Sequence, residues 1–167
     1  MQPEFFKVAT IGQGFLATMA RPRAGDWADE EFSGFADAGL KRIVSLLEYH
    51  ENWELGLVDE PRYCDEAGIG FLSWPLPDRG VPGKTGELFE LSLDIYRRCA
   101  GGENTAIHCR GGIGRSSLVA AAVLLHTGLS VDEALGTISS ARGLQVPDTE
   151  EQREWLLDYA ARHHSSG

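Results

Sequence analysis

From residue 115 to 126 the chain reads Arg-Ser-Ser-Leu-Val-Ala-Ala-Ala-Val-Leu-Leu-His, a run that is apolar on nearly every side of a helix. Such a helix has no face for water, so it belongs in the middle of a domain, wrapped by other elements. The residues before it tighten the constraint. A short apolar segment, 105–108, leads into Cys109, then a glycine-rich stretch ending at Gly114, then the helix. Strand, tight turn and buried helix in succession call for a sheet with parallel strands covered by helices.

The rest of the chain supplies the other parts. Residues 5–11 and 15–19 read as a hairpin around Gly12-Gln13-Gly14. Asp26 is placed to cap a helix over 27–38 that Gly39 stops, and 42–47 follows as a buried strand. Glu48 and Glu51 then read as part of a solvated loop. A helix over 59–67, ended by Gly68, leads to a strand over 69–74 and a proline-rich loop over 75–82. Residues 86–98 carry Leu88, Leu91, Leu93 and Ile95 at roughly helical spacing before Gly101-Gly102 breaks the pattern. Ser130 with Glu133, and Thr149 with Gln152, form capping boxes for two last helices that run to about 141 and 163. The expected fold is α/β: one domain over 1–167, with its core over about 5–162 and a central, mostly parallel twisted sheet flanked by helices.

Composition removes several classes of function. A net charge of -10, with no basic run interleaved with aromatics, argues against nucleic acid as a partner. No apolar run approaches the roughly 18 to 20 residues that span a bilayer, and the first residues lack the pattern of a secretory signal, so a cytoplasmic, membrane-free monomer is expected. Cys64, Cys99 and Cys109 form no CxxC pair and read as free thiols, Cys64 and Cys99 as small buried hydrophobes rather than redox partners of Cys109. His50, His126, His163 and His164 show no metal-ligand spacing, so neither metal nor cofactor is expected.

The chemistry concentrates in residues 106–117, Ala-Ile-His-Cys-Arg-Gly-Gly-Ile-Gly-Arg-Ser-Ser. Glycines at 111, 112 and 114 let the backbone curl so that successive N–H groups point inward, and the start of the helix adds its positive field. Three phosphate oxygens would sit in such a cup, and the same dipoles favour a sulfur anion at Cys109. Arg115, six positions after Cys109, can present its planar fork to two of those oxygens. A Walker A loop would need glycine at 109 and lysine at 115, and a dinucleotide fingerprint would need glycine at 117. Neither fits.

His108-Cys109, five residues, and Arg115-Ser116 together resemble the signature of the protein tyrosine phosphatase superfamily. The pair Gly111-Gly112 is similar to the dual-specificity branch, in particular the cyclin-dependent kinase-associated phosphatase group, although the common alanine at 111 is absent and Ser117 stands where glycine is usual. The resemblance implies that Cys109 is the nucleophile, that Arg115 and the backbone of Arg110, Gly111, Gly112, Ile113 and Gly114 hold the phosphate, that His108 supports the loop, and that Ser116 donates to the departing sulfur. Arg110 is placed to add affinity for further negative charge.

Expelling an alkoxide or phenolate needs a proton donor. Asp78 is the sole carboxylate between Phe71 and Gly86 and precedes Cys109 by 31 positions, a separation similar to the family's. Leu76 and Pro77 intervene between Trp74-Pro75 and Asp78, a departure from the family's Trp-Pro-Asp. Thr149-Glu150-Glu151-Gln152 resembles the setting of the family's water-positioning glutamine, and it is equally a capping box. The expected reaction is hydrolysis of phosphate monoesters, phosphotyrosine first and phosphoserine or phosphothreonine besides, on a phosphorylated protein, through a phosphocysteine. A phosphoinositide, inositol polyphosphate, nucleotide or other small phosphate ester is the alternative, with Arg79, Lys84 and Arg110 the few basic residues nearby. A phospho-binding pseudophosphatase is a further alternative, which retention of Cys109, Asp78 and Arg115 together opposes.

Overall fold

A computed structural model describes residues 4–77, 81–83, 85–146 and 149–164. Its centre is a five-stranded sheet in the order β1-β2-β5-β3-β4, built from β1 (Phe6–Ile11), β2 (Gly14–Met19), β3 (Arg42–Ser45), β4 (Gly70–Ser73) and β5 (Thr105–His108). Only the β1–β2 hairpin is antiparallel; β2, β5, β3 and β4 run in parallel. Helices α1 (Ala28–Asp37), α2 (Tyr49–Leu55), α3 (Glu60–Ala67), α4 (Thr85–Ala100), α5 (Gly114–Leu125), α6 (Val131–Arg142) and α7 (Glu150–His163) complete the described residues. None is long and apolar enough to cross a membrane.

Strand alternation divides the core into two layers. Leu16, Val44 and Ile107 face α4, α5, α6 and α7, while Ala17, Ile43 and Ala106 face α1 and α3. Along α5 every residue from Arg115 to Leu125 is buried, as its sequence demands. Both late capping boxes form: Ser130 Oγ accepts the Glu133 N–H at 3.1 Å, and Thr149 Oγ1 accepts the Gln152 N–H at 3.1 Å.

Two local expectations fail. Asp26 caps nothing, because a 3-10 turn over Gly25–Trp27 precedes α1, and Trp27 stands at the cap position without a side-chain bond. The acidic residues that meet the positive end of α1 are instead Asp29, Glu30 and Glu31 in its first turn. Glu48 and Glu51 do not lie on a solvated loop. Glu48 is the N-cap of α2, and Glu51, inside that helix, is buried with 2% of its surface exposed. A carboxyl so deeply placed needs partners, and they lie in the glycine-rich segment.

Candidate active site

The parallel strands end on one edge of the sheet, where α/β folds place their ligands. Met19 of β2 and Ser45 of β3 pair with His108, the last residue of β5, so the loops after these strands meet around Cys109. Backbone bonds stitch the loops together. Arg21 N–H donates to the Arg110 carbonyl at 3.2 Å, Leu46 N–H to the His108 carbonyl at 2.9 Å, and Leu76 N–H to the Leu46 carbonyl at 3.0 Å.

Cys109 is buried at the floor of the cup. The Gly112 N–H donates to its Sγ at 3.2 Å, and the Ser116 hydroxyl lies 3.5 Å from the same sulfur. Gly112 has φ +73°, and a Cβ there would stand 2.5 Å from the Met19 carbonyl oxygen. Only glycine meets both conditions. Gly111 is different: its φ is ordinary and a Cβ would meet nothing. The need for glycine that the sequence spreads over the loop therefore falls on Gly112 before Gly111. Arg142 of α6 backs the cup, donating to the Gly111 carbonyl at 3.4 Å with its guanidinium 4.2 Å over the Phe6 ring.

Arg115 rises from the first turn of α5 and is 1% exposed. Its Nη1 donates to Glu51 Oε1 at 2.7 Å and to the Leu76 carbonyl at 3.0 Å, while Nη2 donates to Glu51 Oε2 at 2.9 Å. The paired bonds to one carboxylate fix the plane of the guanidinium. Burial alone pushes the Glu51 carboxyl up, but hydrogen bonds from Arg115 and the Glu48 N–H, with the charges of Arg115 and Arg110, outweigh it and hold Glu51 below the usual carboxylate value. Arg110, half-exposed at the rim, lies 3.8 Å from Glu51 and 3.5 Å from Glu54, so part of its charge is already answered.

His108 lies behind the nucleophile, its ring between the Cys109 carbonyl and the buried carboxyl of Glu60 at the start of α3. Cys64, one turn along α3, is also buried; desolvation and then the charge of Glu60 push its thiol up to about 12, as befits a small hydrophobe. Cys99 is buried and free as well.

Of the expected site residues, the fold thus brings His108, Cys109, Arg110, Gly111, Gly112, Arg115 and Ser116 together. Ile113 and Gly114 complete the turn into α5, with Ile113 at its cap position. Asp78, with Arg79 and Lys84, lies outside the described residues. Gln152 is fully buried, and its Oε1 accepts the Thr149 N–H at 3.3 Å. Sequence reasoning misses Glu51 and Glu60. The signal for Glu51 was the spacing Glu48-x-x-Glu51 followed by Gly56, a capping box and a helix stop of the kind read correctly elsewhere.

Comparison with known proteins agrees with this geometry. Residues 17–129 match the family described as "Tc-R-P: Polymorphic toxin system, DSP-PTPase phosphatase". Cyclin-dependent kinase inhibitor 3 of Rattus norvegicus is 33% identical over 122 residues, which cover 70% of this chain and 57% of that protein. The Homo sapiens counterpart is 32% identical over 132 residues, covering 74% and 62%. This chain thus spans less than two thirds of these relatives' length. Among solved structures, kinase associated phosphatase with its catalytic cysteine replaced by serine aligns over 100% of this chain and 99% of its own, with TM-score 0.85 and 20% identity. Tk-PTP in the active form aligns over 97% and 99%, with TM-score 0.78 and 29% identity. The expected α/β fold and the expected resemblance both stand, and the chain belongs to the DSP-PTPase family, the dual-specificity branch of the protein tyrosine phosphatases.

Proposed function

We propose that this phosphatase hydrolyses phosphate monoesters on proteins, phosphotyrosine above all and phosphoserine or phosphothreonine besides, through a phosphocysteine on Cys109. The observation that carries the reading is the meeting, at one sheet edge, of a buried sulfur that receives the Gly112 N–H and a guanidinium oriented by Glu51. In the first step Sγ of Cys109 attacks phosphorus in line, the ester P–O bond breaks, and Asp78 gives its proton to the leaving oxygen. In the second step water attacks phosphorus, Asp78 takes a proton from it, and the P–S bond breaks to release inorganic phosphate. Ser116, 3.5 Å away, donates to the sulfur as it leaves. Arg115 and the cup meet the charge on the equatorial oxygens in both steps.

Asp78 takes its role from the sequence. It is the sole carboxylate between Phe71 and Gly86 in the sequence, next to Pro77 in the proline-rich loop, and it precedes Cys109 by 31 positions. Gln152 is assigned to the second step as the residue that orients water, in addition to its cap. A protein substrate is supported by α2, whose outer side exposes Tyr49 and Trp53 on the helix that grips Arg115. The relatives' name, cyclin-dependent kinase inhibitor 3, is consistent with a phosphorylated protein as partner. Three free thiols fit a reducing compartment, and the proposal places the enzyme in the cytoplasm.

The test is release of phosphate, with chelator present, from a phosphotyrosine peptide, a phosphothreonine peptide, a phosphoinositide and a nucleotide. Turnover of the peptides that Cys109→Ser abolishes, with retained binding of the phosphopeptide, is the expected result. Turnover confined to the phosphoinositide or nucleotide would overturn the protein-substrate reading, and binding without turnover by the unaltered chain would overturn catalysis.

A further inference from the structure

Both ring nitrogens of His108 face oxygen. Nδ1 lies 3.3 Å from the Cys109 carbonyl and Nε2 lies 2.7 Å from Oε2 of Glu60, with ring and carboxyl both wholly buried. A carbonyl oxygen only accepts, so the proton in the first bond is on Nδ1. Two arrangements then satisfy the second bond. Either Nε2 is bare and accepts the proton of the Glu60 carboxyl, or Nε2 is protonated and donates to the carboxylate. Each places two protons on the ring and carboxyl together and leaves the pair neutral overall. The remaining arrangement, a carboxylate facing a ring protonated on Nε2 alone, would aim the Nδ1 lone pair at the carbonyl oxygen.

We propose that Glu60 is a positioning residue for the reaction: by sharing a proton with Nε2 it keeps Nδ1–H directed at the Cys109 carbonyl and so fixes the backbone from which the nucleophilic sulfur projects. The inference rests on the functional reading above and extends it to a residue 49 positions from the nucleophile. Three observations support it. Glu60 Oε1 makes no hydrogen bond among the described residues, so His108 is the polar group this carboxyl serves. A carboxyl without any exposed surface is costly unless bonded, which makes a purely packing role for Glu60 unfavourable. Finally, Glu60 occupies the first turn of α3, whose side of the sheet is the one that Ala106, and therefore His108, faces. In such pairs the bond made by one ring nitrogen decides which protonation the other adopts.

The first test is the long-range proton–nitrogen spectrum of the unaltered protein, with the His108 signals identified by comparison with His108→Asn. A proton on Nδ1 is expected; a ring protonated on Nε2 alone overturns the proposal. The measurement needs no substrate, so it stands or falls separately from phosphatase activity, and absence of turnover by the unaltered chain would sink the functional reading without touching it. The second test is kinetic. Glu60→Leu fills the space without a polar group and should lower kcat about 10- to 100-fold with little change in KM, the scale seen when a partner that orients a working imidazole is removed. Glu60→Gln can still donate to Nε2 and should stay within about threefold of the unaltered enzyme, a rescue that packing alone would not distinguish from Glu60→Leu. Unaltered kcat in Glu60→Leu, or equal loss in both variants, overturns the positioning role.

Discussion

At the scale of single residues, Arg115 and Glu51 explain each other. A guanidinium with 1% exposure would be a liability alone, and the carboxylate that answers it is also the one that turns its fork. Arg115→Lys keeps the charge but not the paired geometry, since a lysine offers one point charge to both Glu51 and the substrate. The expected outcome is a fall in kcat/KM of about 100-fold or more, with KM and kcat both affected, in a phosphopeptide assay. Glu51→Ala leaves the cation buried without its carboxylate and should cost about 3–5 kcal/mol in urea unfolding. Cys109, Arg115 and Ser116 were legible because their spacing is local and the turn between them is short. Glu51 was not, because it stands 64 positions from Arg115 and nothing nearby in the chain announces an ion pair.

At the scale of elements, legibility follows periodicity. The hairpin, β3, β4, β5 and the helices α3 to α7 show either a strand-length apolar pattern or a helix-length one with its start or stop signals, and the structure has them within a residue or two of where those patterns place them. Helix α2 has neither. Its one buried residue is a charged one, and its aromatic side chains Tyr49 and Trp53 point outward, so its amphipathic stripe is inverted from the usual sense. The start of α1 lies within one residue of its expected place, and only its cap differs: a 3-10 turn can precede a helix without changing the composition that marks a cap. The cup itself yields a paired prediction. Gly112→Ala forces a side chain into φ +73° and to within 2.5 Å of the Met19 carbonyl oxygen, and should cost about 1–3 kcal/mol while reducing kcat/KM. Gly111→Ala meets open space and should leave thermal stability and kcat/KM close to those of the unaltered chain. Thermal melts and initial rates on the two variants side by side separate backbone strain from any general intolerance of the loop.

At the scale of the whole molecule, a half-buried histidine and a buried carboxyl, near opposite ends of α5, make stability fall with acid in two separate windows. His126, just past the C-terminal end of α5, accepts or donates one bond with the Ser92 hydroxyl at 2.8 Å and lies among the rings of Phe89, Tyr96 and His164. Burial first, then the charges of His164 and Arg97, bring it from 6.5 down to about 4. The unfolded chain therefore binds a proton at this position below about 6.5 while the folded chain refuses it until about 4, and stability declines between those values as pH falls. Glu51, near the other end, is held below the ordinary carboxyl value of 4.5, so its contribution is complete above that pH and is lost only as pH drops further and Arg115 loses its partner. Urea midpoints measured from pH 7 to pH 3 should show both declines. His126→Gln, which retains a side chain able to bond Ser92, should flatten the curve between about 6.5 and 4 and leave the lower limb, whereas Glu51→Gln, lower in stability throughout, should flatten the limb below 4.5 and leave the upper one. Identical curves for the two variants would mean that neither group is tied to folding in the way their surroundings require.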